Sequence, residues 1–148
     1  MADRPRIEHT LFLLAVGILA WIIPGGGHFL IRERRRAIII FVTITLTFAV
    51  GLYVGSIAVV NSVDAKPWFF AQICASPVVG FIDNISRSGY TDTTGQHVKY
   101  TAFGRPGDVG QIYTSIAGLL NLLSILSAVY MAYTGRGEMI GTEEETHA

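Results

Sequence analysis

Charge is what this chain lacks over most of its length. Four stretches, residues 10–31, 37–63, 67–82 and 109–135, hold 92 of the 148 residues and contain no Asp, Glu, Lys or Arg. All 22 charged residues lie between or beyond them. The pattern argues against a soluble helical domain, because each surface helix there needs a polar face toward water. A bilayer requires it, because an ionised group at its centre costs several kcal/mol. Cysteine is nearly absent as well. The single Cys74 excludes an internal disulfide and a CxxC metal site, and in its apolar setting it reads as a small hydrophobe. Formal net charge is zero, so no bulk field draws the chain to nucleic acid. His9, His28, His97 and His147 are scattered without metal-ligand spacing. No Ser/His/Asp grouping is recognisable. The expectation is a protein that is not an enzyme, with no cofactor and no metal. The uncharged stretches also argue against a proton relay or ion pump.

What is present is apolar. Hydrophobic residues make up 51% and charged residues 15%, against roughly 25% charged in soluble domains. The mean hydropathy is +0.47. These features predict one all-α integral membrane domain over residues 1–148. Three spanning helices are expected near 10–31, 37–60 and 110–134. A short re-entrant or interfacial segment is expected at 67–82, a polar loop at 83–108 and a tail at 136–148. A four-span bundle is the alternative.

Residues 37–60 form the best span. Their 24 residues would reach about 36 Å as a helix, against a hydrocarbon core of about 30 Å. Residues 110–134 form the second, with Tyr113, Tyr130 and Tyr133 near its ends, where an aromatic belt would sit. The first segment is less regular. Its apolar run ends at Ile23, Pro24-Gly25-Gly26-Gly27 loosens the helix, and His28-Phe29-Leu30-Ile31 resumes it. A helix that kinks near one membrane face is expected. No A-x-A cleavage pattern follows the run, so the segment reads as uncleaved. Residues 67–82 contain Pro77 and are short for a span. A weak alternation at 96–101 predicts a strand of a small hairpin turning near 92–95. Arg32, Arg34, Arg35 and Arg36 crowd one loop between two apolar segments, which places that loop in the cytoplasm and the 83–108 loop outside.

Three constellations stand out. Gly25, Gly26, Gly27 and His28 precede Arg32, Arg35 and Arg36, and a helix resuming at His28 would align His28, Arg32 and Arg35 on one face. Such a group could bind a phosphate or an anionic lipid headgroup, or it could simply pin a hairpin to one side of the membrane. Thr43, Thr47, Gly51 and Gly55 form a small-residue stripe with a GxxxG at its end. Such stripes allow close helix contact, either within the chain or with a partner. Ala117, Asn121, Ser124 and Ala128 form a second stripe, in which Asn121 needs a hydrogen-bond partner because hydrocarbon offers none.

With these residues in view, the chain resembles a family of short bacterial membrane proteins with no assigned activity. The shared features are the turn Trp21-Ile22-Ile23-Pro24-Gly25-Gly26-Gly27-His28-Phe29, Arg32 and Arg35 in the basic loop, and the helix Tyr113-Thr114-Ser115-Ile116-Ala117-Gly118-Leu119-Leu120-Asn121-Leu122-Leu123. The first hairpin is also distantly similar to two-span hairpin membrane domains. The resemblance covers about half the chain. The family often has Gly before the first loop arginine, where this chain has Ile31. The resemblance implies a multi-pass protein of the bacterial inner membrane and no activity. The functional expectation is an accessory, scaffold or assembly subunit that works by helix–helix contact, through self-association or another membrane protein. The alternative is a lipid- or phosphate-binding protein using the His28 and arginine cluster. An oligomeric channel or transporter is weaker.

Overall fold

The structure is a computed structural model that describes residues 6–63, 66–98, 100 and 104–135. The tail expected at 136–148 and part of the polar loop lie outside the described residues. The chain forms α1 (Arg6–Ile22), α2 (Gly26–Leu30), α3 (Arg34–Gly55), a 3₁₀ turn (Ile57–Val59), α4 (Lys66–Ile73), α5 (Val78–Ser88), strands β1 (Tyr90–Thr91) and β2 (His97–Val98), and α6 (Gly104–Thr134). The molecule is mostly helical. Among the described residues, two helices, α3 and α6, are long and apolar enough to cross a membrane.

α6 is the axis against which every other helix can be placed. α3 runs antiparallel to it. Arg36 Nη1 lies 3.7 Å from Met131 Sδ at one end, and Gly51 and Gly55 meet Gly110 at the other. α1 starts at the same end as Arg36, with His9 and Tyr133 ring centroids 6.2 Å apart. It runs only to the level of Asn121, which reaches the carbonyl of Ala20. α4 enters from the opposite end and runs parallel to α6. Trp68 faces Ser115, Ala71 faces Gly118, and Cys74 and Ala75 reach Asn121.

The first apolar segment therefore differs from the expected span. α1 stops at Ile22, and Gly25 (φ 79°) turns the chain. α2 then folds back along α1, so that Gly27 lies against Val16 and Ala20. The cause is local. Pro24 has no N–H to continue the helical ladder, and glycine takes the left-handed conformation without a Cβ penalty. The segment at 67–82 breaks in the same way, as α4 and α5 joined through Cys74–Pro77. α5 returns toward the far end, where Asp83 accepts hydrogen bonds from the Ser62 backbone N–H and hydroxyl, both at 2.8 Å. The fold thus repeats one order twice: short helix, break, short helix, long helix. The two halves, α1–α2–α3 and α4–α5–α6, point in opposite directions.

The hairpin pairs Tyr90 with Val98 and Thr91 with His97, antiparallel. Its turn is closed by Gly95 N–H to the Asp92 carbonyl at 2.8 Å. A small apolar core of Val59, Val60, Ala75 and Val79 lies under α5.

Candidate functional site

Two helix ends converge at the middle of α6. The last turn of any helix leaves carbonyls without intrahelical donors. Here the ends of α1 and α4 satisfy one another. Asn121 Nδ2 donates toward the carbonyls of Ala75 (2.9 Å), Cys74 (3.0 Å) and Ala20 (3.3 Å). Trp21 Nε1 donates to Ile73 O at 3.0 Å, and Ser76 Oγ donates to Ile22 O at 3.0 Å. Beside them, Gln72 Nε2 donates to Thr114 Oγ1 at 2.8 Å and to Val59 O at 3.2 Å. Gln72 and Asn121 are fully buried. Among the described residues, Asn121 Oδ1, Gln72 Oε1 and Ser124 Oγ have no hydrogen-bond partner. The arrangement is a carbonyl-rich junction held by one amide, one indole and one hydroxyl. Sequence reasoning reached Asn121 and missed Trp21, Gln72 and Ser76. The available signal was that Gln72 and Ser76 are polar residues within an otherwise apolar segment.

The two packing stripes occupy different places. Gly51 and Gly55 lie against α6 of the same chain. A methyl group on Gly51 would sit 2.9 Å from the Thr114 backbone nitrogen, and one on Gly110 would sit 2.5 Å from the Gly55 Cα. Thr43 is exposed and Thr47 half-buried, and Thr47 Oγ1 bonds back to the Thr43 carbonyl at 2.8 Å. The buried face of α3 is Ala37, Ile44, Gly51 and Gly55, so the stripe drifts outward at its threonines. Ala117, Asn121, Ser124 and Ala128 are all buried on α6. Ala128 supports Gly27, whose added methyl would lie 2.9 Å from the Ala128 Cβ.

The glycine–histidine–arginine group is divided. A methyl on Gly25 would sit 2.5 Å from the Ala37 carbonyl oxygen, and one on Gly26 2.7 Å from that of Leu19. These glycines are required for close backbone contact and form no open cradle. His28 is buried, while Arg32, Arg34, Arg35 and Arg36 are exposed. The expected common face for His28, Arg32 and Arg35 does not form, because α2 ends at Leu30 and Arg32 adopts φ 68°. Arg36 Nε lies 3.9 Å from Glu33 Oε2, and the Arg34 guanidinium stands 6.0 Å from the Phe29 ring centroid. His28 sits in α2, outside both long helices. Burial pushes its imidazole below the ordinary value, Arg36 acts in the same direction and Glu33 opposes them. Its Nδ1 has no hydrogen-bond partner among the described residues. No group of three or more His, Cys, Asp or Glu is placed to hold a metal among the described residues.

No curated protein and no solved structure matches the chain. One family model does, over residues 15–138, which takes in the first break, the basic loop, α3 through α5 and all of α6. On that match the chain belongs to the DUF6677 family, a family of unknown function.

Proposed function

We propose that the chain is an integral membrane protein that works by contact, as a small accessory or assembly subunit. One observation carries the reading: a set of polar side chains is buried while many large apolar side chains face outward. Inward-facing positions hold Gln72, Thr114, Ser115, Asn121 and Ser124. Outward-facing positions hold Ile38, Ile39, Leu46, Leu119, Leu123 and Leu126. The most apolar 18-residue stretch of α3 is only 17% buried, and that of α6 39%. The core helix of a soluble domain would be mostly buried. In lipid this distribution is expected, because polar groups must find partners inside the protein and apolar ones need none.

Two crossing helices with a half-inserted hairpin on each side put the start of α1 at the arginine end. Among the described residues, that end then carries Arg6, Arg32, Arg34, Arg35 and Arg36, against Lys66, Arg87 and Arg105 at the other. The imbalance favours the arginine end as cytoplasmic. Contact with a partner is assigned to the outer faces of α3 and α6, because Gly51 and Gly55 already pack against Gly110. Tyr53, 91% exposed, lies on one such face. The test is native mass spectrometry in mild detergent with in-membrane crosslinking at Tyr53 and Leu123. A stable complex, with a second copy or another membrane protein, is expected. A strictly monomeric protein with no crosslinked neighbour would overturn the reading.

A further inference from the structure

Two apolar hollows open on the side of the bundle where the first hairpin meets α3. One, of about 230 Å³, lies against Phe29, Ala37 and Ile38 near the arginine loop. The other, of about 260 Å³, reaches Thr45, Phe48 and Val79 beside the second helix break. Ile23, Pro24 and Phe41 line both, so the two adjoin as a trough along α3. Along α3 the trough runs from Ala37 to Phe48, about 16 Å at roughly 1.5 Å per residue. Half of a hydrocarbon core about 30 Å thick is of the same length. Its walls are almost wholly apolar, and its mouth lies under the most basic part of the chain. Arg34 stands over Phe29, which lines the mouth, and Arg32 and Arg35 are exposed in the same short loop.

We infer that the trough holds one acyl chain of an anionic phospholipid from the arginine-side leaflet, with the lipid phosphate at Arg34 and its neighbouring arginines. The depth suits a single chain ending at the bilayer centre, and the charge at the mouth selects an anionic headgroup over a zwitterionic one. The hairpin turn makes the site. Pro24 and Gly25 divert α1 before it can fill the space beside α3, and the break at Cys74–Pro77 leaves the deep end open. The inference rests on membrane residence and is independent of any accessory role.

The test reconstitutes the full chain in phosphatidylcholine vesicles containing phosphatidylglycerol, extracts it in mild detergent and counts retained lipid by native mass spectrometry. One retained phosphatidylglycerol per chain is expected. Arg34→Gln with Arg35→Gln should weaken retention roughly thirtyfold, the equivalent of about 2 kcal/mol at about 1 kcal/mol per arginine near an anionic surface. Thr45→Trp, which fills the deep end from an exposed position, should abolish retention while leaving the arginines intact. Leu123→Trp on the outer face of α6 should change nothing. Equal retention of phosphatidylcholine, unchanged retention in Thr45→Trp, or equal loss in Leu123→Trp would each overturn the site. Release of the protein from vesicles by alkaline carbonate would instead overturn membrane residence, and so separates the two failures.

Discussion

Gly110 carries one of the closest helix contacts among the described residues. Its position opposite Gly51 and Gly55 leaves no room for any side chain, and the atoms in the way are backbone. Gly110→Leu is therefore expected to destabilise the fold by about 2–4 kcal/mol, in the range of severe overpacking. Thermal unfolding in detergent checks this, and the contrast is Gly95→Ala, where nothing lies within 4 Å of an added methyl. Asn121 offers a sharper comparison. Asn121→Ala leaves the Cys74 and Ala75 carbonyls uncapped and should cost about 1–3 kcal/mol. Asn121→Asp keeps the size but turns a donor into an acceptor facing three carbonyls, so it should cost more than Asn121→Ala. His28 gives a pH effect of defined sign. Its folded-state affinity for protons is lower than in the unfolded chain, so the unfolded chain binds more protons below about pH 6.5. Stability should fall as the pH drops through that value, and His28→Gln should flatten the dependence.

At the scale of elements, the two helix breaks decide the fold. The long helices were legible in the sequence because uninterrupted apolar runs of span length fit a helix far better than a strand. The break at Pro24 was legible as a kink, but its consequence was not. A kinked helix and a helix that turns back contain the same residues, and the difference lies in what meets them. α2 folds back because Gly26 and Gly27 allow contact with Leu19, Val16, Ala20 and Ala128, which are not adjacent in sequence. The same limit applies to α4. Its carbonyls are tolerable in the middle of the bundle only because Trp21 and Asn121 arrive from other helices. The arginine face predicted with His28 failed for a local reason, since it assumed helix through residues 31–33 where the chain turns. Gly118 is one point at which α4 touches α6, directly against the Ala71 carbonyl. Gly118→Val should loosen α4 and α5 while leaving the Gly51–Gly110 contact in place. Hydrogen exchange checks this: faster exchange is expected over residues 66–88 and not over 37–55.

At the scale of the whole molecule, two half-hairpins enter from opposite ends and meet at Asn121 on α6, which packs antiparallel to α3. Interrupted helices also occur in membrane transporters. That likeness concerns architecture and assigns no substrate. The arrangement accounts for the buried polar groups, since each interrupted helix delivers backbone carbonyls to the interior. Under the membrane reading proposed above, it also predicts which segments share a side of the membrane, and this separates it from a simple three-span bundle. The direct measurement is cysteine accessibility in sealed, oriented vesicles on a Cys74→Ala background, with single cysteines at Glu8, Arg35 and Thr94. Glu8→Cys and Arg35→Cys should react from the same side and Thr94→Cys from the other. Labelling of Glu8→Cys and Arg35→Cys from opposite sides would contradict the account.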